Sequence, residues 1–385
     1  MVDKLISKLK FEARNFGHVR FEEPIVIFES DDWGKINSNN NAVFDSNFGK
    51  RTDWSYDQLE NEMNLERLFD KLNSYRNDFE RPPVFTANFI VSNPNFEATI
   101  KSGFDELVLE PIDYAFPNLM LSWNKGKTQG IFYPQYHGRL HYNYQLYAAS
   151  LKKDKVAQAL FKQKVNGGLE HFEQAQLAYY SEYQNYATQK SSPLLQNWIK
   201  DGLTEFDRIF GYQSKSTIAP NYVLDAKDIG VFDGTEVKFL QGSNKLLSKS
   251  GSIEKCENYC QGATLAHNLT ALSRNHKFEP CRNKKEWKVD FSIFAAKTWL
   301  NRNVPVVFDT HRMNYVSNFA DSSLNELGIL IDSFRDVKNI KFLTSVELGE
   351  AISNKGEYKD VFTGETKALT PIDSFVRKSV RNLVH

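Results

Sequence analysis

Apolar positions along the chain gather into seven short runs: Pro24–Phe28, Pro83–Val91, Gly130–Tyr136, Lys215–Ile218, Glu236–Leu240, Val304–Phe308 and Ile340–Leu343. Each passes into polar, Gly-, Pro- or Asn-rich residues and then into a stretch with helical spacing. Short, nearly continuous apolar runs predict parallel strands covered on both faces. Their alternation with helical patterns predicts seven βα units, hence an α/β barrel. Between about residues 143 and 211 the pattern turns helical and mixed in charge, broken at Ser191-Ser192-Pro193. This predicts a helical insertion within one domain spanning residues 1–385.

Composition narrows the classes of function. Lys+Arg and Asp+Glu both number 48, so the formal net charge is zero. A dedicated nucleic-acid binder needs an excess of Lys and Arg to neutralise phosphates, so nucleic acid is not an expected partner. The start of the chain sustains no apolar run of signal-peptide length, and no stretch approaches the roughly 20 apolar residues of a membrane-spanning helix. Met1–Phe16 reads as a solvated first helix, and stable membrane insertion is not expected. Three cysteines (Cys256, Cys260, Cys281) suit a reducing cytoplasm, and with His267 they lack the tight paired spacing of a zinc ribbon. Aromatic residues make up 14% of the chain; most belong to a Phe-rich core, while Trp33, Tyr136, Tyr142, Tyr222 and Tyr315 lie beside the polar motifs and are expected at a cleft.

Those motifs fall at the ends of the apolar runs, where the βα loops of a barrel converge. Alternation puts Phe28, Ser30 and Asp32 on one face, with Asp31 at the turn opened by Gly34. Adjacent carboxylates there can divide labour, one ligating a cation and one acting as a base; an Asp-rich turn or helix N-cap is the plainer reading. His137 and His141, four apart, share a face if they lie on a helical turn, and can then bind one metal through neutral ring nitrogens. Two incidental histidines near a turn fit the spacing equally. Asp309 and His311 share a face if their strand continues, so that a carboxylate could tune an imidazole acid; a structural hydrogen bond is the other reading. An Asp with two His makes an open divalent site. Rival chemistries lack their motifs: there is no GxGxxG, no phosphate-binding loop and no GxSxG.

The order Ser30-Asp31-Asp32-Trp33-Gly34, His137 with His141, then His311 resembles the polysaccharide deacetylase family, the NodB-type carbohydrate esterases. The resemblance implies an irregular (β/α)7-type barrel. By that likeness Asp31 is the base, Asp32, His137 and His141 hold a divalent metal, and His311 is the acid. The family's third motif carries an Arg before a Pro-aromatic pair; Ile218-Ala219-Pro220-Asn221-Tyr222 keeps Pro and Tyr without it. Arg274 and Glu279 are candidates for the missing orienting role or for substrate contact, beside Trp33, Asn221 and Tyr222 as substrate-binding residues. The expected activity is metal-dependent removal of an acetyl group, N-acetyl before O-acetyl, from a sugar or polysaccharide. Zn2+ suits the mixed N/O ligands, other first-row divalents also fit, and backbone N–H groups such as that of Tyr222 would meet the oxyanion. The alternatives are a glycoside hydrolase using Asp31 with Glu279, and a non-catalytic glycan-binding protein.

Overall fold

A computed structural model describes residues 17–37, 57–166, 181–184, 192–250 and 253–372. The helix expected over Met1–Phe16 and most of the second helical stretch of the insertion lie outside the described residues. The centre of the molecule is a nine-stranded sheet. Its strands are β1 (Ile25–Trp33), β2 (Phe85–Ile90), β3 (Phe132–Gly138), β4 (Ser216–Ile218), β5 (Phe239–Gly242), β6 (Thr270–Ser273), β7 (His276–Lys277), β8 (Val306–His311) and β9 (Lys341–Phe342). All pairings in it are parallel, in the order β6-β5-β4-β3-β2-β1-β8-β7.

The two ends of that order are consecutive in the chain. Arg274 N–H donates to Gly242 O on β5 (2.7 Å), and Asn275 N–H to Val307 O on β8 (3.1 Å). The segment running through β6 and β7 therefore closes the sheet into an irregular α/β barrel of seven staves. Every one of the seven apolar runs contains a strand, but the membership of the ring differs from the expectation. Ile340–Leu343 yields β9, which pairs with the first two residues of β1, Ile25 and Val26, and is not a stave. The seventh stave is the unexpected 270–277 segment. Its inward positions carry Leu272 and Arg274, so it has no continuous apolar run to reveal it.

Alternation along the staves sorts two environments. Val26, Phe28, Phe85, Phe89, Phe132 and Phe308 belong to the larger core cluster, shared with the surrounding helices. Helix α1 (Glu62–Asn73) shows why such helices form: Leu65, Leu68, Phe69 and Leu72 recur at helical spacing and are buried, and an Asn61–Asn64 capping box closes its N-terminus. Truncating one of these to Ala costs about 2–5 kcal/mol. On the other face, Ile25, Ile27, Tyr133, Phe239, Leu272 and Val307 pack with Val346 and Leu348 of helix α2 (Ser345–Ser353). Further along the same face the residues become polar, then charged: Glu29, Thr86, Gln135 and Gln241, followed by Asp31, Asn88, His137 and Asp309, all buried. The site sits at the C-terminal ends of the staves, above an apolar floor.

Between β3 and β4 the described residues form helices Tyr144–Lys153, Lys155–Lys162 and Ser192–Phe210. The first two are separate because Asp154 caps the second, accepting from Val156 N–H (2.8 Å).

Candidate active site and metal centre

Asp31 and Asp32 lie inside β1, which runs five residues beyond the apolar run. The register between β1 and β2 shifts between Ser30 and Trp33, and Asp32 has φ 72°. This bulge breaks simple alternation and brings both carboxylates into the site. The same irregularity carries Trp33 outward. Trp33 is fully buried, packs edge-on against Phe132 (5.0 Å between centroids) and donates from Nε1 to Ser30 Oγ (3.1 Å). It has no surface for a sugar, which corrects the expected substrate contact. Tyr136, Tyr142 and Tyr315 are likewise buried and are not cleft platforms.

His137 is the penultimate residue of β3, and His141 follows in a loop, not on a helical turn. Gly138 and His141 both have positive φ (134° and 76°), and the two rings lie 5.4 Å apart at 74°. Glu182, which gave no sequence signal, holds this loop. Its carboxylate accepts the backbone N–H groups of Arg139 (2.8 Å), Leu140 (3.3 Å) and His141 (2.7 Å), and the indole N–H of Trp198. A Cβ on Gly138 would stand 2.2 Å from Glu182 Oε2, so glycine leaves the room the carboxylate needs.

Asp32, His137 and His141 converge, each offering a ligand atom within 4.8 Å of the others. His137 Nδ1 donates to Ile218 O (3.0 Å), which leaves Nε2 as the lone-pair nitrogen, 3.8 Å from Asp32 Oδ1. His141 Nε2 is 3.4 Å from the same oxygen. Burial holds the pKa of both imidazoles down, with the Lys35 ammonium adding to the effect on His141. Burial would raise Asp32, but Lys35 and the histidines hold it well below the usual carboxylate range. Asp32 Oδ1 is buried and has no hydrogen-bond partner, Lys35 Nζ standing 3.6 Å away. A neutral His pair facing an ionised, unbonded carboxylate oxygen is a donor set that fits a divalent cation.

Asp31 has a different environment. Arg274 Nη2 and Nη1 donate to its two oxygens (2.6 and 2.7 Å), and Asn88 Nδ2 donates to Oδ1 (2.8 Å). The same guanidinium reaches Glu29 (2.6 Å) and Asp309 (2.7 Å), which also accepts from Tyr222 OH (2.7 Å) and Lys277 Nζ (3.2 Å). Burial would raise Asp31, yet Arg274 holds its pKa below the ordinary value. Asp31, Asp309 and His311 also lie close together, but a guanidinium already bridges these two carboxylates.

His311, opposite Asp31 in the β1–β8 register, has Nε2 3.9 Å from Asp31 Oδ2 and donates from Nδ1 to Glu279. Burial opposes its charge, but Glu279, with Asp31 and Asp309 behind it, pushes the imidazole up to about 9. Arg274 and Glu279 were expected to orient the acid or touch substrate. Both are buried: Arg274 orients Asp31, while Glu279 gives one oxygen to His311 and the other to Asn314 Nδ2 (2.7 Å). Glu279 has no free surface for the glycosidase role considered for it. Tyr222 is half-buried and Asn221 exposed at the rim. Tyr222 N–H already donates to Ala219 O (2.8 Å), so it is not the expected oxyanion donor. Behind the site, fully buried Arg312 bonds Asp57 (3.1 Å) and Glu60 (2.7 Å), and Glu60 accepts from Gly34 N–H (2.9 Å), fixing the turn after Asp32.

No helix among the described residues is long and apolar enough to cross a membrane. No protein-family profile and no curated protein sequence matches the chain. Its structure is similar to a 4-alpha-glucanotransferase of Thermococcus litoralis (10% identity, TM-score 0.41, covering 85% of this chain and 40% of that one). It is similar too to a candidate polysaccharide deacetylase of Mycobacterium smegmatis (9%, 0.43, 86% and 90%). A candidate glycoside hydrolase/deacetylase of Parabacteroides distasonis gives 10%, 0.46, 88% and 73%. The chain thus spans less than half of the glucanotransferase, and the likeness in all three is one of fold.

Proposed function

We propose that the protein is a metal-dependent hydrolase that removes N-acetyl groups from a sugar or polysaccharide. The observation that carries this reading is the unbonded, buried Asp32 Oδ1 facing two neutral imidazoles, beside a separately polarised Asp31 and a protonated His311. Asp32, His137 and His141 would hold the ion, Zn2+ suiting their mixed ligation. The chemistry such an ion supplies when held is Lewis acidity toward an acyl oxygen and toward water.

The chain's own residues do the rest. Asp31, kept ionised and oriented by Arg274 and Asn88, accepts the proton of the attacking water as its oxygen bonds to the acetyl carbon. His311, kept charged by Glu279, gives its Nε2 proton to the sugar nitrogen as the C–N bond breaks. Acetate and the free amine leave, and the two protonation states are restored by proton exchange with water.

The test is bound metal and acetate release in wild type and in His137→Ala, with the fold checked by circular dichroism. One equivalent of metal in wild type, lost together with acetate release in the folded variant, supports the reading. Unchanged metal content removes it. New reducing ends without acetate point to a glycoside hydrolase, and glycan binding indifferent to chelator and to Asp31→Asn points to a non-catalytic binder.

A further inference from the structure

The mouth of the site is basic although the chain as a whole is neutral. His311 has the most exposed side chain of the five motif residues, 13% against 5% for Asp31, 6% for Asp32, 3% for His137 and 8% for His141. His311 is thus the motif residue most open to solvent, with partly exposed Tyr222 and Lys277 on its side of the site. From that edge the chain continues into residues 277–288, which hold five cations (Lys277, Arg282, Lys284, Lys285, Lys288) and two acids, Glu279 and Glu286. Glu279 is buried against His311, which leaves Glu286 as the segment's exposed acid.

Trp287 gathers this charge. Lys284 Nζ lies 4.2 Å from its ring centroid, the Arg282 guanidinium carbon 4.7 Å and Lys277 Nζ 5.4 Å. The cluster is continuous with the site on two lines. Lys277 Nζ is 3.2 Å from Asp309, and Glu279 N–H donates to Trp287 O (3.1 Å) while its side chain holds His311. An anion arriving at this edge would meet Lys284 and Arg282 beside the indole, with Lys277 behind them turned toward Asp309.

We propose that the sugar taken by this protein is acidic: a carboxylate or sulfate on the substrate is received by Lys277, Arg282 and Lys284 around Trp287, while the acetamide enters beside His311. The proposal rests on the deacetylase reading for the second half of that statement and deepens it by naming the substrate class. A neutral net charge and a patch confined to one indole favour a charged glycan over a nucleic acid, whose phosphates need a longer basic track.

Isothermal titration with three hexasaccharides tests it: uncharged N-acetylglucosamine hexamer, its 6-O-sulfated form, and alternating glucuronate and N-acetylglucosamine. One of the acidic sugars should bind about tenfold more tightly than the uncharged one at low salt, with the preference shrinking as salt rises. Which of the two prevails distinguishes sulfate from carboxylate. In the folded Arg282→Ala/Lys284→Ala variant, and in Lys284→Glu alone, the preference should fall to about threefold or less. Equal affinity for the uncharged hexamer, a preference that survives both variants, no binding of any saccharide, or tighter binding of an oligodeoxythymidylate overturns the proposal. Acetate release is read on the same sugars. Its absence with the charge preference intact removes the deacetylase chemistry and leaves the acidic subsite. Release with equal kcat/KM from all three removes the subsite and leaves the chemistry.

Discussion

Asp31 and Asp32 are neighbours in sequence and share a cleft, yet their carboxylates live in opposite circumstances. Asp31 is clamped: both oxygens are bonded, a guanidinium bridges it to Asp309, and Asn88 links it to Gln241 (2.8 Å) across the barrel, while Oδ2 with one bond keeps a lone pair for a proton. Asp32 leaves Oδ1 without a hydrogen bond and keeps a single ammonium 3.6 Å away. The first arrangement suits a group that must hold one orientation. The second suits a group that has yet to receive a partner. Two carboxylate clusters of similar compactness are thus told apart by what already fills them, not by spacing.

The sharpest way to break this contrast is to empty the clamped side. Arg274→Met leaves Glu29, Asp31 and Asp309 buried without their shared cation, a loss of about 3–5 kcal/mol of stability by denaturant unfolding. Arg274→Lys should not restore it, because an ammonium cannot bridge both carboxylates with a planar fork. Asp32→Asn on the open side keeps an oxygen there and gives up only the attraction between the carboxylate and Lys35, so it should cost the metal-free protein clearly less than Arg274→Met does. Equal losses in the two variants would erase the distinction.

The next effect is on pH. His311 has a folded pKa of about 9 against 6.5 for a free imidazole, so its charge contributes full stability below pH 6.5 and loses it as pH rises through about 9. The upper value bounds the contribution at about 3 kcal/mol. Acetate release should fall along the same alkaline limb as the acid loses its proton. Glu279→Gln removes the main charge that raises His311, and the limb should move toward neutral pH in a pH–rate profile. An alkaline limb unchanged by Glu279→Gln would show that another group sets it.

Smaller effects concern the open side. Lys35 competes with any cation for Asp32, so Lys35→Met should bind Zn2+ about tenfold more tightly in a competition titration, with little change in fold. Unchanged affinity would mean that Lys35 moves aside at no cost. Gly138→Ala presses on Glu182 in a backbone region that disfavours side chains, and should lower stability by about 1–2 kcal/mol while weakening metal binding through His141.

Much of this was legible along the chain. The seven apolar runs all hold strands, and Asp31, Asp32, His137, His141 and His311 meet at one end of the sheet. What sequence reading missed has a common physical cause. The barrel interior above its apolar floor is filled by amides and charges satisfied across strands: Asn88 to Gln241, Gln241 to Ser216, Arg274 to three acids. Residues whose partners are distant in sequence leave no periodic signal. Glu182 illustrates it, since its meaning lies in three backbone amides about forty positions away. The His pair was found for a reason that does not hold, its geometry coming from a strand end and a left-handed turn. Trp33 was misplaced because the bulge that delivers Asp32 also reverses the following residue.

The segment that closes the barrel also bears Arg274, whose own backbone N–H makes one of the closing hydrogen bonds. Completing the ring and clamping the Asp31 carboxylate are consequently a single event. A chain folded as an open sheet would have Asp31 without its guanidinium, whatever ion stood at Asp32. If the proposed deacetylation holds, a refolding experiment should recover acetate release only once the 270–277 segment has docked, so the seam makes the site depend on a complete ring.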